Sequence, residues 1–266
     1  MIIDFHAHIF PDKIASTTVS ALENASGNTP YSDGTKNGLI NALNEANATY
    51  AVNLPVLTKP SQFDSVTKFA LSLNEEKGKI ISFAGVHPDL EDIPKKMETL
   101  KNLGFKGVKI HPDYQGAFVD DDGYVQIVKE AKRNGLIVVT HAGVDEGFPT
   151  SPVRCTPQRV LSLLDKVGGY DKLVLAHLGG NRIYSEVYDL LAGLPVYFDT
   201  AYALPLVTNK QFASLVEKHG EDKILFATDS PWRSIKEEVS RIKGYGLPKT
   251  IQDKIFYQNA VKLLNL

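Results

Sequence analysis

An α/β chain closed into a (β/α)8 barrel is the fold class this sequence predicts, on three observations. Eight short apolar runs recur along it, most of them rich in Val, Ile and Phe. Segments with helical spacing and helix-end signals lie between them, which implies right-handed crossovers and parallel strands. Several runs are apolar almost throughout, as strands buried on both faces are. A chain of 266 residues suits such a barrel as a single domain over residues 1–266. The competing open, doubly wound sheet usually carries a glycine-rich turn after its first strand. Here that position reads His6-Ala7-His8-Ile9-Phe10-Pro11, without glycine.

The predicted strands, in order, are Ile2–His6, Thr49–Leu54, Ile80–Val86, Gly107–His111, Leu136–His141, Leu173–His177, Val196–Thr200 and Ile224–Asp229. Between them, Asp89–Leu103 carries acids in its first turn and lysines later, as the helix dipole favours, with Gly104 behind it as a cap. Asp122–Asn134 ends the same way, in Lys132 and Arg133 before Gly135. Gln158–Val167 stops at Gly168-Gly169 and Phe212–His219 at Gly220, so that His219 reads as a cation near a helix C-terminus. A helix over Thr250–Leu264 closes the pattern. The longest irregular stretches are Asn24–Lys36 and Gly143–Pro157; the second follows a histidine-bearing strand and is expected to shape a pocket.

Composition narrows the function classes. The chain is 43% hydrophobic and 23% charged, with net charge −2 and no basic stretch interleaved with aromatics, so neither nucleic acid nor a membrane surface is an expected partner. No apolar run approaches the roughly 18–20 residues needed to span a bilayer. The single cysteine, Cys155, allows no internal disulfide and fits a reducing compartment. No leader is expected at the N-terminus, and a cytoplasmic location is the expectation. Nothing nearby lowers the Cys155 pKa, so it is not read as a nucleophile.

The chemistry lies in the strand ends. His6 and His8, spaced i, i+2, share one face of a strand, with Asp4 expected on that same face. His111, His141, His177 and Asp229 each end another predicted strand. In an eight-stranded parallel barrel all C-terminal strand ends meet at one mouth, where active sites are found. Imidazole nitrogens and a carboxylate suit Zn²⁺ or a similar divalent ion, and three or four such ligands leave room for catalysis. Lys109, two residues before His111, shares its face and reads as a carbamylated ligand, a substrate-carboxylate contact or a paired filler. Arg154 is expected in a loop at the mouth, where it reads first as an exposed arginine and second as a clamp for an anionic substrate. His-Pro-Asp closes two strands, at His87 and at His111, where proline stops the strand and aspartate caps the next turn of chain.

His6-x-His8, His141, His177 and the Thr228-Asp229-Ser230-Pro231-Trp232 turn together resemble the amidohydrolase superfamily. The ordered set is similar, more narrowly, to its amidohydrolase-related branch, which includes carboxymuconate-semialdehyde decarboxylase and related lactonases. The resemblance implies a TIM barrel holding a divalent ion at its mouth, with His6, His8, His141 and Asp229 as ligands. It gives His177 the role of orienting the nucleophile or polarising the substrate. The narrower branch is usually mononuclear, so one ion is expected, Zn²⁺ first, with Mn²⁺ or Fe²⁺ as alternatives; relatives there are often homodimers.

The leading expectation is hydrolysis of an amide, ester or lactone of a small organic acid by metal-activated water. Asp229 would act as the base and His177 would stabilise the oxyanion. Lys109, His111 or Arg154 would hold the substrate. The alternative is metal-dependent, non-oxidative decarboxylation of an unsaturated or aromatic acid at the same residues. A metal-binding barrel without catalysis is the third.

Overall fold

A computed structural model describes all residues, 1–266. It contains the eight predicted strands: β1 (Ile3–Ala7), β2 (Tyr50–Asn53), one strand in two pieces, β3 (Ile80–Ser82) and β4 (Ala84–Gly85), then β5 (Gly107–Ile110), β6 (Ile137–Thr140), β7 (Leu173–Leu175), β8 (Tyr197–Asp199) and β9 (Ile224–Leu225). All pairings are parallel, in the order β1-β2-β3 and β4-β5-β6-β7-β8-β9. The ring closes because Phe5 N donates to Phe226 O at 2.8 Å and Asp229 N to His6 O at 2.8 Å. This is the predicted barrel.

Alternation along the strands divides the apolar residues into two bodies. Phe5, Val52, Phe83, Val139, Val174 and Leu225 belong to a small cluster that fills the barrel. Phe5 and Phe83 meet edge to face at 6.0 Å, a contact of about 1 kcal/mol beyond burial. Their neighbours along the chain, such as Ala84, Val138, Leu173 and Phe226, join the larger cluster between barrel and helices.

Helix ends follow the chain chemistry. Thr35, Thr156 and Thr208 accept from backbone N–H groups of the first turns they precede. Gly135 and Gly168 adopt the left-handed conformation that ends their helices. The helix expected from Asp89 begins at Ile93, because Asp92 takes the cap position and accepts from Lys95 N at 3.2 Å. The expected closing helix is present over residues 249–264, as Lys249–Asp253 and Asn259–Leu264 joined by a π-turn at Lys254–Gln258. Past the π-turn, Asn259 Nδ2 reaches the carbonyls of Glu221 and Ile224, both at 2.8 Å, under the barrel.

His219 is not the exposed cation the sequence suggests. It is 5% exposed and stacks on Phe198 with ring centroids 3.8 Å apart. Its Nε2 faces Val196 O at 3.0 Å, while its Nδ1 accepts from Gly193 N at 3.2 Å. One nitrogen must donate and the other accept, so the ring is neutral. Burial lowers its pKa from 6.5 to about 4. A base depressed in the native state favours unfolding once the pH drops below its unfolded value. His219 therefore contributes its full stability above pH 6.5, and that contribution disappears as the pH falls toward 4. Between pH 7 and pH 5 the loss is about 2 kcal/mol. Urea denaturation at both pH values is expected to show that much less pH dependence in His219→Gln; equal slopes in wild type and variant would contradict this account.

Candidate metal centre

The first strand does not run regularly through its motif. Its pairing with β2 shifts between Asp4 and Ala7. The shift overturns the expectation that Asp4 shares the histidine face. Asp4 instead accepts from Thr228 Oγ1 at 2.5 Å and Thr228 N at 2.9 Å, tying β1 to the segment between β9 and Asp229. Its burial raises its carboxyl to about 7.

Beyond the shift, three donor atoms converge. His6 Nε2 lies 3.1 Å from His8 Nε2, and Asp229 Oδ1 lies 3.4 Å and 3.2 Å from these two nitrogens. Four-coordinate zinc with bonds of 2.0–2.1 Å places its ligands about 3.3 Å apart. The opposite ring nitrogens are already committed. His6 Nδ1 donates to Asp199 Oδ2 at 2.8 Å, and His8 Nδ1 to Leu54 O at 2.8 Å. Those partners fix both protons on Nδ1 and leave two Nε2 lone pairs facing each other beside a carboxylate oxygen. Three acceptors aimed at one point call for a cation, and the nitrogen and oxygen donor set fits a divalent metal.

The electrostatics agree. Burial, reinforced by Lys109, holds His6 well below its usual pKa, so its ring is neutral. Burial alone would raise Asp229, yet beside His6 and His8 its carboxyl lies below the usual carboxylate range. Lys109 is 1% exposed and its Nζ lies 3.2 Å from His6 Nε2. Burial lowers it to about 8, against the pull of Asp199 and Asp229.

A second group stands beside the first. His177 Nε2 lies 3.0 Å from His141 Nδ1, and His177 Nδ1 donates to Ala201 O at 2.9 Å. His141 stacks on His111 with centroids 4.4 Å apart and groups with His111 and Asp145. His111 Nε2 is 3.4 Å from Asp145 Oδ2, and His141 Nε2 is 3.8 Å from Asp113 Oδ2. His177 (φ 59°) and Asp229 (φ 68°) both occupy the left-handed region, at a cost of about 1–3 kcal/mol each. Asp199 Oδ1 accepts from His177 N at 2.9 Å and so secures one of these strained positions.

His6, His8 and Asp229 are thus brought together as the sequence suggests. His141, expected as a fourth ligand, falls in the group with His111 and Asp145 rather than in that trio; its Nδ1 faces His177 Nε2 and its buried Nε2 has no hydrogen-bond partner. Lys109, His111, His141 and His177 line the same cavity of about 640 Å³. Arg154, the second reading of which is an anion clamp, is placed elsewhere. It does not line the cavity, and its guanidinium lies 5.6 Å from the Phe118 ring. Cys155 is fully buried and its thiol is pushed up by burial, which leaves it inert. Asp199 was missed. Its signal was present, since it ends the apolar run Val196-Tyr197-Phe198 as His177 ends its own. Asp113 and Asp145 were missed as well; neither ends a strand.

Known proteins share this architecture. A family model described as Amidohydrolase matches residues 3–266. No curated protein matches the sequence. Among solved structures, 5-carboxyvanillate decarboxylase from Sphingomonas paucimobilis is 15% identical, with TM-score 0.71, covering 100% of this chain and 99% of its own. The same enzyme from Novosphingobium aromaticivorans, complexed with manganese and 4-hydroxy-3-methoxy-5-nitrobenzoic acid, is 14% identical, with TM-score 0.72 over 100% and 96%. A probable 2-pyrone-4,6-dicarboxylic acid hydrolase from Acinetobacter baumannii, with citric acid bound, is 18% identical, with TM-score 0.71 over 100% and 99%. At these identities the likeness is one of fold.

Proposed function

The chain belongs to the amidohydrolase family of enzymes, and from that premise we propose that it is a divalent-metal-dependent decarboxylase of a small aromatic or unsaturated carboxylic acid. The observation that carries the reading is the facing pair of Nε2 lone pairs beside Asp229 Oδ1. His6, His8 and Asp229 would hold the ion, which supplies a Lewis acid and a local positive charge when bound. Zinc and manganese both accept this donor set; the Novosphingobium neighbour carries manganese.

The chain's own groups do the rest. Lys109 is the cation at the cavity floor and attracts the substrate carboxylate. Breaking the bond to the carboxyl carbon releases CO2, and the carbon left behind takes a proton. His177 and His141 share a proton across 3.0 Å and are placed to deliver it. Asp229 takes up and returns protons beside them. Aromatic side chains in the wall, including Phe10, Phe69, Tyr114 and Trp232, suit an aromatic ring.

Decarboxylation is placed ahead of hydrolysis because the neighbours named for it share the whole barrel, one of them with an aromatic acid bound. Hydrolysis of a lactone or ester is the second reading, favoured by the pyrone-dicarboxylic acid hydrolase neighbour. There Asp229 would accept the proton of the attacking water, and the histidine pair would protonate the leaving oxygen.

Metal-loaded protein incubated with hydroxybenzoates and with aromatic lactones in ¹⁸O-labelled water separates the two. Decarboxylation releases CO2 and leaves no ¹⁸O in the aromatic product. Hydrolysis places ¹⁸O in a new carboxylate. Chelation should stop either reaction and added metal restore it. Turnover that survives chelation would refute the metal-dependent reading.

A further inference from the structure

The cavity extends beyond its polar floor along two helices. On the helix Asp12–Ser26, Ala15 and Val19 are buried against the barrel. Ile14, Thr18 and Leu22, each four residues on from the last, line the cavity instead. On the helix Phe63–Glu75, Phe63, Thr67, Ala70 and Leu73 are buried, while Val66 and Phe69 face the cavity. Each helix therefore carries two stripes, one toward the core and one toward the cavity. Ile14, Leu22 and Val66 belong to neither core cluster, and Ile14 is 50% exposed. The only charged side chain these helices add to the lining is Lys13, which is exposed. Apolar residues outside both core clusters thus line an open branch, with the hydroxyls of Thr18, Ser26 and Ser65 among them. The branch also joins the floor directly: His8 donates to Leu54 O, and Val56, two residues on, lines the cavity.

We infer that this branch binds an apolar extension of the substrate, a chain of alkyl or aryl groups, while the substrate carboxylate occupies the floor at His6, His8 and Lys109. The stripe from Ile14 to Leu22 spans eight residues, or about 12 Å of helix, and sets the length of chain it accepts. The substrate is on this view amphiphilic, larger than a bare benzoate. The inference rests on the reading of the floor given above for the end that holds the carboxylate.

Straight-chain carboxylates from butanoate to decanoate, titrated calorimetrically into the metal-loaded full-length protein, test it. Each methylene taken up by the branch should lower Kd about four-fold, the equivalent of roughly 0.8 kcal/mol. Leu22→Asp should abolish that length dependence, and Ser20→Asp, on the exposed face of the same helix, should retain it. A flat series, or a slope that survives Leu22→Asp, overturns the inference. So does a wild type that sediments as a dimer and a Leu22→Asp that sediments as a monomer, because a second copy then fills the branch. Chelation distinguishes the two readings. A slope that persists with no effect of chelation sinks the metal reading of the floor and leaves the branch assigned; a flat series that chelation weakens throughout does the reverse.

Discussion

Alanine at both His6 and His8 is expected to strip the protein of its divalent ion and to lower turnover at least about 1,000-fold. Several kcal/mol of transition-state charge stabilisation depends on such an ion, and each 1.36 kcal/mol is a factor of ten. The geometry says why no other group substitutes. With both imidazoles gone, Asp229 Oδ1 retains no second donor at the 3.2 Å and 3.4 Å separations that define the point of convergence. Elemental analysis of purified wild type and double variant provides the first readout. About one equivalent of zinc or manganese should be present in wild type and lost in the variant. Far-UV circular dichroism should be unchanged, because neither histidine belongs to the apolar clusters that build the barrel. An equivalent of metal retained by the variant would place the ion elsewhere, and two equivalents in wild type would bring the His111–His141–Asp145 group into the site.

Asp199→Asn tests a residue that touches no reacting atom. Asp199 Oδ2 receives the Nδ1 proton of His6, and Oδ1 receives backbone N–H groups of His177 at 2.9 Å and Ala201 at 3.1 Å. An amide cannot meet all three demands. If its oxygen keeps the backbone donors, its NH2 faces His6 Nδ1 and moves the ring proton to Nε2, where the metal lone pair is needed. If it turns over, two buried N–H groups lose their acceptor, at about 1–3 kcal/mol. Metal affinity is expected to fall 10–100-fold, the usual loss when the partner of a ligating histidine is removed. Competition against a fluorescent chelator measures it. Asp4→Asn is the control: it is as deeply buried and equally hydrogen-bonded, yet it contacts only the His6 backbone and Thr228. Its affinity for metal should stay near wild type while its stability drops. Equal metal affinity in Asp199→Asn and wild type would remove Asp199 from the site.

The barrel was legible because its signals are local. Val, Ile and Phe runs mark buried strands, and glycines mark helix ends, so Gly135 and Gly168 act where their chemistry says they should. Two of the expected helices start elsewhere than spacing suggests. Asp92 displaces one start from Asp89 to Ile93, and Thr208 caps another at Asn209 instead of Phe212; each depends on hydrogen bonds that spacing alone does not encode. The convergence of His6, His8 and Asp229 followed from the same local reading, since a closed parallel barrel brings every strand end to one mouth.

Which atoms of those residues meet was a different matter. The shift within β1 that separates Asp4 from His6 exists only through pairing with β2 and bonding to Thr228. His141 stands with His111 and Asp145, its Nδ1 against a ring that follows the next strand. Arg154 turned to Phe118, and Asp199 acquired its role from a histidine 193 residues away. The sequence by itself determined the strands, the parallel barrel they close and the residue types gathered at its mouth, because periodicity and chain chemistry act over a few residues. Tertiary structure alone decided which nitrogen carries each proton, which histidines pair and which cavity wall stays apolar. Side-chain orientation is set by hydrogen bonds and packing between elements far apart in the chain, and no local pattern records them.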